Sequence, residues 1–157
     1  MNQEIERKFL VDSNDFKSSS FKSKYIKQGF LNSHKERVVR IRIIDDIAYI
    51  TVKGISNNTG TARFEWEKQI SSKDANNLML LCEPGIIEKK RYYHKVGDHT
   101  FEIDEFFGEN EGLLIAEVEL SHEDEFFEKP DYLGLEVTGD EKYYNSNLST
   151  NPFKKWA

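Results

Sequence analysis

EIERKFLV, at residues 4–11, is a stretch in which charged and apolar side chains alternate with a period of two. Successive side chains of a β-strand point to opposite faces, so Glu4, Glu6 and Lys8 share one face of the predicted strand. The other face is mainly apolar and is suited to packing against a core. The stretch therefore predicts a strand with one charged face and one apolar face.

The rest of the chain repeats this arrangement in short segments separated by turn signals rich in Gly, Asn and Asp. The eight predicted strands cover residues 2–11, 25–33, 36–44, 47–54, 62–70, 86–95, 99–107 and 113–121. Helical patterns are confined to 72–82, the region near 123–128 and the residues after about 140. Successive strands joined by short turns favour antiparallel pairing, and eight strands can close a barrel that holds one small ligand. We therefore predict one domain over residues 1–157 with an α+β, mainly antiparallel β fold: a closed eight-stranded β-barrel with a few flanking helices.

The composition narrows the classes of partner. The chain has 157 residues, with 22 basic and 28 acidic side chains and a net charge of −6 at pH 7. A net negative charge disfavours binding to an extended phosphate backbone, so we expect no nucleic-acid partner. The N-terminus lacks the apolar core of a signal peptide, and no apolar run reaches the ~18 residues of a membrane span. We therefore expect a cytoplasmic protein without a membrane partner.

The charged faces of seven predicted strands are segregated by sign. The basic side chains on these faces are Lys8, Arg40, Arg42, Lys53, Lys89 and Arg91. The acidic side chains are Glu4, Glu6, Glu65, Glu67, Asp104, Glu117 and Glu119. A single charged face is most often solvent-exposed, but like charges two residues apart cost energy unless a ligand or an ion compensates them. The repetition over seven strands therefore indicates one charged interior. Only 25–33 departs from the pattern, and it contributes no predicted site residue.

The two sets of charges suit a ligand made of metal ions and polyphosphate. Carboxylate oxygens bind Mg²⁺ or Mn²⁺, and Lys and Arg bind phosphate oxygens. The six bases and seven acids sum to about −1, and two divalent cations would change this to about +3. Only the metal-loaded cavity would attract a triphosphate, so the sequence predicts dependence on Mg²⁺ or Mn²⁺, with two ions. The four histidines lack zinc-ligand spacing, and no phosphate-cradling glycine loop is present.

This ordered set of charges resembles the CYTH superfamily, or triphosphate tunnel metalloenzymes. The hallmark E-x-E-x-K corresponds to residues 4–8, and the remaining site residues follow in the family's order over essentially the whole chain. Short bacterial members of this family hydrolyse inorganic triphosphate, and some accept nucleoside triphosphates or longer polyphosphate. The resemblance implies a tunnel in which the six bases bind triphosphate and the seven acids bind two metal ions, directly or through water. It also implies release of pyrophosphate and phosphate by two-metal hydrolysis.

The predicted catalytic residues within that set are Glu4, Glu6, Lys8 and Lys89. The resemblance leaves open which acids bind metal directly and whether a lysine assists proton transfer. Two positions depart from the family: Lys142 stands where relatives usually have Arg, and Phe30 stands where Tyr is frequent. Lys keeps the charge of a tunnel-capping residue but loses the bidentate fork, and Phe has no hydroxyl to offer the ligand. Neither change touches the paired motifs, so we expect activity, and the effect on preference and rate is left open.

Three functions are compatible with this sequence. The first is metal-dependent hydrolysis of inorganic triphosphate. The second is a class IV-type adenylyl cyclase that converts ATP to cyclic AMP and pyrophosphate, for which no adenine and ribose site is evident. The third is a non-catalytic module that binds polyphosphate or nucleotide. In each case the partner is a small polyanion, tripolyphosphate or a nucleoside triphosphate, and the chain is a monomer or a homodimer.

Overall fold

The structure, a computed structural model, describes residues 3–156 and contains nine strands, three short α-helices and three 3-10 turns. The strands are β1 (Gln3–Val11), β2 (Lys22–Asn32), β3 (Arg37–Ile44), β4 (Ile47–Ser56), β5 (Ala62–Ile70), β6 (Ile87–Val96), β7 (His99–Phe106), β8 (Leu114–Glu119) and β9 (Leu133–Glu136). The α-helices are α1 (Phe16–Ser19), α2 (Ser72–Met79) and α3 (Asn145–Thr150). The 3-10 turns cover Gly108–Asn110, Glu141–Tyr143 and Phe153–Lys155. The predicted α+β class, mainly antiparallel β, is confirmed.

Eight of the strands close into a barrel. Neighbouring strands are antiparallel and follow the order β5-β4-β3-β2-β6-β7-β8-β1 around the sheet. β1 then pairs with β5, from Gln3 opposite Phe64 to Ile5 opposite Ala62, and this pairing closes the circle. β9 pairs with the other end of β1, around Phe9. The predicted closed eight-stranded barrel is therefore confirmed, with a ninth strand added to its wall.

The structure differs from the sequence-based prediction in three short segments. The prediction of a helix near 123–128 is wrong, because these residues form turns and irregular chain. Glu125 accepts a hydrogen bond from the backbone N–H of Ser121 and pairs with His99, while Phe127 is buried. Contacts outside the segment thus replace helical hydrogen bonds. The other two segments, α1 and β9, have four residues each and are too short to be recognised from periodicity.

The interior of the barrel is apolar at one end and charged along the rest. Ile87 on β6 and Ile115 on β8 lie on the same strand faces as Lys89 and Glu117, two residues further along. The buried apolar cluster that they join, called here the apolar plug, also contains Phe30, Val38, Phe106, Leu113, Val137, Tyr143 and Leu148. Leu148 comes from α3, so the C-terminal helix helps to close this end of the barrel. The charged space is therefore bordered by apolar side chains on that side.

Two other apolar clusters cover the outside of the barrel. Ile103, which points away from the charged face of β7, packs with Phe16 of α1. Ile41 and Ala48 pack with Ala75 of α2. Burial of the outward-facing apolar residues stabilises the strands and leaves their other face for the charged interior. In the described part of the chain, no helix is long and apolar enough to cross a membrane.

The position of α3 depends on a close backbone contact at Gly85. Gly85 has a φ of +98°, and a Cβ at this position would lie 2.0 Å from the carbonyl oxygen of Ser149 in α3. Gly108 also has a positive φ, +63°, but a Cβ there would meet no atom within 4 Å. Comparing alanine substitutions at the two positions therefore separates the cost of backbone strain from the cost of a steric clash.

We expect Gly108→Ala to lower the free energy of unfolding by about 1–2 kcal/mol, the cost of a left-handed conformation for a residue with a Cβ. Gly85→Ala should lower it by clearly more, because the clash also displaces α3. Urea unfolding followed by circular dichroism measures both values, with Gly108→Ala as the matched control. Equal losses in the two variants would show that the contact with Ser149 does not constrain α3.

Candidate active site

A charged cavity of about 250 Å³ occupies the barrel interior next to the apolar plug. The predicted bases that line it are Lys8, Arg40, Arg42, Lys53, Lys89 and Arg91. The predicted acids that line it are Glu4, Glu6, Glu65, Glu67, Glu117 and Glu119. The structure thus brings all six predicted bases and six of the seven predicted acids around one space. Their roles in binding and catalysis stay predictions.

Asp104, the seventh predicted acid, is buried and does not line the cavity. Its two carboxylate oxygens accept hydrogen bonds from Arg91 Nε at 2.7 Å and Arg91 Nη2 at 2.9 Å, and Lys89 Nζ lies 2.7 Å from Oδ2. Burial opposes ionisation, but Arg91 and Lys89 lower the pKa of Asp104 well below its usual value. Both oxygens are therefore engaged by cations, and metal binding by Asp104 stays a prediction. Glu102, on the same face of β7, lines the cavity in its place.

Carboxylates crowd together on β1 and β8. Glu6 lies directly opposite Glu119 in the antiparallel register, and Lys8 lies opposite Glu117. Burial, followed by the negative charges of Glu117 and Glu4, raises the pKa of Glu6 well above its usual value. Like charges directly opposite each other on neighbouring strands are destabilising. The fold therefore keeps together a group of carboxylates that a bound cation would stabilise.

This donor set fits a hard divalent cation. Mg²⁺ and Mn²⁺ prefer carboxylate, phosphate and water oxygens, and the cavity offers carboxylates from β1, β5 and β8. Among residues 3–156, no group of three His, Cys, Asp or Glu side chains is already arranged to hold an ion. A bound Mg²⁺ would therefore draw carboxylates closer or complete its shell with water and substrate oxygens, as this ion usually does.

Lys53 forms salt bridges with two carboxylates from different strands. Its Nζ lies 2.9 Å from Glu4 Oε1 on β1 and 3.3 Å from Glu65 Oε2 on β5. Burial alone would raise the pKa of Glu4, but Lys53 lowers it to about 2. Burial and the neighbouring Glu4 raise the pKa of Glu65. Glu4 is therefore the firmly ionised carboxylate of this pair.

The opposite wall, formed by β3 and β6, has more cations than acceptors. Burial, with the charges of Arg40 and Arg91, lowers the pKa of Arg42 to about 9. Burial also lowers the pKa of Lys89 to about 7, against the opposing effect of Asp104. Arg40 Nε is a buried donor that has no hydrogen-bond partner among residues 3–156. Because buried donors without acceptors cost free energy, this wall favours an anion with several oxygens.

Gln28 belongs to this wall, although the sequence-based prediction took no site residue from 25–33. It is fully buried, and its Oε1 accepts a hydrogen bond from Arg42 Nε at 3.0 Å. On β2, Lys24 lies on the same face as Gln28 but does not line the cavity, and Lys27 is exposed on the other face. Nearest the site, this face carries the uncharged Ile26 and Gln28, which a pattern of charges cannot identify.

Arg63, Tyr144 and Asn145 also line the cavity and were not predicted. Arg63 lies on the same face of β5 as Glu65, and this spacing could have identified it. The ring centroid of Tyr144 lies 5.1 Å from Lys8 Nζ and 5.6 Å from Arg63 Cζ, so this ring packs against two cations. Tyr144 and Asn145 follow the strands, where a period of two carries no information.

The two positions that depart from the family pattern lie in different places. Lys142 does not line the cavity, and its Nζ lies 4.6 Å from the ring centroid of Trp156. Lys142 therefore contributes nothing to the cavity lining. Phe30 does line the cavity, where it forms part of the apolar plug. At this position the cavity is bounded by a ring without a hydroxyl group.

Comparison with known proteins places this site in a family. The family model described as the CYTH domain matches residues 2–150. A protein of Acetivibrio thermocellus named inorganic triphosphatase is 47% identical over 157 residues, with 99% of both chains covered. One of the same name from Nitrosomonas europaea is 34% identical over 150 residues, with 93% of this chain and 96% of the relative covered. The solved structure of the inorganic triphosphatase NE1496 matches with a TM-score of 0.67 and 32% identity, covering 95% of each chain. The barrel, its charged interior and a family match over nearly the full length agree, and the chain belongs to the CYTH domain family.

Proposed function

We propose that this chain hydrolyses inorganic triphosphate to pyrophosphate and phosphate with the help of divalent cations. The observation that carries the proposal is one cavity inside the barrel in which a wall of incompletely paired cations faces a group of mutually repelling carboxylates. The protein alone leaves the cations incompletely paired and the carboxylates uncompensated. A polyphosphate would pair with the cations, and divalent cations would neutralise the carboxylates. The names of the two relatives support the same activity.

The size of the cavity favours inorganic triphosphate over a nucleotide. Its volume of about 250 Å³ is below the roughly 300–1,000 Å³ of pockets that enclose drug-sized ligands. The lining is dominated by charged side chains, with few apolar groups to contact a base. The site therefore encloses a phosphate chain, and the base and ribose of a nucleoside triphosphate would remain outside it.

The basic residues bind and orient the phosphate chain. Arg40 and Arg42 on β3, with Lys89 and Arg91 on β6, approach it from one wall, while Lys8 and Lys53 approach from the other side. Hydrogen bonds from cationic donors to phosphate oxygens are among the strongest in proteins. We also assign Lys8 and Lys89 to catalysis, because these basic side chains neutralise charge that develops on the leaving pyrophosphate.

The acidic residues would hold the metal ions, for which we propose two Mg²⁺ or Mn²⁺. The proposed ligands, direct or through water, are Glu4, Glu6, Glu65, Glu67, Asp104, Glu117 and Glu119. When bound, divalent cations neutralise phosphate oxygens and acidify water. In the reaction a bond forms from the water oxygen to the terminal phosphorus, and the bond from that phosphorus to the bridging oxygen breaks. Pyrophosphate leaves with the electron pair, and the two protons of water end on the two products.

The first prediction from this proposal concerns the products. Purified protein with Mg²⁺ or Mn²⁺ should convert tripolyphosphate to equimolar phosphate and pyrophosphate, as measured by ³¹P NMR. EDTA should abolish turnover, and Glu4→Gln/Glu6→Gln should lower it by about 100-fold or more, because proposed metal ligands are lost. Glu88→Gln, an exposed carboxylate on the outer face of β6, is the matched control and should retain full activity.

A parallel incubation with ATP distinguishes the alternatives. Cyclic AMP with pyrophosphate, and no phosphate from tripolyphosphate, would replace the hydrolase with a cyclase. Unchanged tripolyphosphate that nevertheless binds in the presence of Mn²⁺ would leave a binding module and overturn the proposal.

The second prediction concerns metal binding in the absence of turnover. Mn²⁺ at about 100-fold above its Kd should raise the midpoint of thermal unfolding by about 5 °C, because it binds the folded chain. Glu6→Gln should be at least as stable as the original protein in EDTA, since the substitution removes a repelling carboxylate, and it should respond less to Mn²⁺. Differential scanning calorimetry measures both effects, with Glu88→Gln as control. A Glu6→Gln variant that is destabilised in EDTA and keeps its full Mn²⁺ response would exclude Glu6 as a metal ligand.

A further inference from the structure

Asn145, the first residue of α3, reaches from the C-terminal helix into the charged cavity. Its Oδ1 accepts hydrogen bonds from Lys89 Nζ at 2.7 Å and from Gln28 Nε2 at 2.7 Å. It thus lies where the charged wall meets the apolar plug, because the next turn of α3 contributes Leu148 to that plug. None of the predicted site residues comes from this helix.

The orientation of the Asn145 amide is fixed by its neighbours. Lys89 Nζ lies 2.7 Å from the Asp104 carboxylate, which favours the ammonium form. An ammonium group can only donate hydrogen bonds, so the atom of Asn145 that faces it is the oxygen. Arg42 Nε also can only donate, and it contacts Gln28 Oε1 at 3.0 Å, so Gln28 must present its Nε2 to Asn145. Two cations thus set both amide orientations, which side-chain positions alone often leave ambiguous.

This orientation leaves the Asn145 NH₂ group available to a ligand. Within residues 3–156, Asn145 Nδ2 makes no hydrogen bond, and it is not among the buried polar atoms that lack a partner. Its two N–H donors are therefore open to the cavity that the side chain lines. They lie beside Lys89, which we assign to phosphate binding. An amide donor in this position meets an oxygen of any anion bound to that lysine.

A neutral acceptor at position 145 also suits a cationic wall. Lys89 already contacts one carboxylate, Asp104, at 2.7 Å. A second carboxylate in place of Asn145 would neutralise the lysine further and repel phosphate. Asn145 satisfies Lys89 and Gln28 without adding charge, and it offers a donor on the remaining side.

We propose that Asn145 is a substrate-binding residue that donates a hydrogen bond from Nδ2 to a phosphate oxygen of tripolyphosphate, with its amide oriented by Lys89 and Gln28. The proposal rests on the function proposed above and deepens it. The C-terminal helix thereby completes the site as well as closing the barrel. A hydrogen bond to a charged oxygen is strong enough to account for a ten- to hundredfold change in affinity.

Affinity and side-chain NMR test this assignment. Asn145→Asp is the informative variant, because its carboxylate still accepts from Lys89 and Gln28 but has lost the N–H donors. We expect a Kd for tripolyphosphate at least tenfold higher than that of the original protein, by calorimetry with Ca²⁺ in place of Mg²⁺ and with the absence of turnover checked by ³¹P NMR. Thr150→Ala, an exposed position on α3, is the matched control and should bind normally. Asn145→Ala, which adds no charge, should also bind at least tenfold more weakly.

The NMR measurement separates a direct contact from a purely structural role. In a ¹H–¹⁵N spectrum, tripolyphosphate should shift one Nδ2 proton of Asn145 downfield, with the resonance assigned by its loss in Asn145→Ala. The Nε2 group of Gln28, which bonds Asn145 and not the ligand, is an internal reference and should shift less. An unshifted Asn145 amide, or an Asn145→Asp variant with unchanged Kd, would overturn the proposal. Failure of the proposed function shows separately, as tripolyphosphate that the original protein binds with Ca²⁺ but does not hydrolyse with Mg²⁺ or Mn²⁺.

Discussion

The ion pair between Asp104 and Arg91, extended by Lys89, is the interaction on which the basic wall of the cavity depends. All three side chains are buried, and a buried charge without a partner costs several kcal/mol. One carboxylate on β7 is shared between two cations on β6, so the three groups retain a net positive charge. This sharing makes the wall stable enough to fold and still able to attract an anion. The same pairing joins β6 to β7 by side-chain contacts in addition to the backbone ladder.

The carboxylates on β1 and β8 differ from the basic wall, because no cation of the protein neutralises them fully. Lys8 lies opposite Glu117, but Glu6 faces Glu119 and is surrounded by carboxylates. Apolar clusters outside the barrel must therefore supply the stability that these repulsions remove. A site of this kind is destabilising until its ligands arrive. Stability and function are thus opposed at Glu6, as they often are where a site must bind ions.

The period-two alternation was sufficient to predict the barrel and the placement of most site residues. Glu4, Glu6 and Lys8 share a face in any β-strand, whatever the strand pairs with. The alternation failed on β2, because Gln28 is neutral and Lys24, on the same face, does not line the cavity. It also could not show that Asp104 is engaged by two cations, since this depends on the register between β6 and β7. Asn145 and Tyr144 reach the cavity through the docking of a helix, which no local pattern encodes.

The apolar plug has a consequence for the electrostatics of the cavity. The ring centroid of Phe106, which belongs to this plug, lies 5.4 Å from Lys89 Nζ. Apolar neighbours lower the local dielectric constant, so attraction between Lys89 and an anion is stronger there than at a site open to water. The same apolar neighbours oppose the charge of Lys89 when no anion is bound. The filled end of the barrel therefore favours the ligand-bound protein over the empty one.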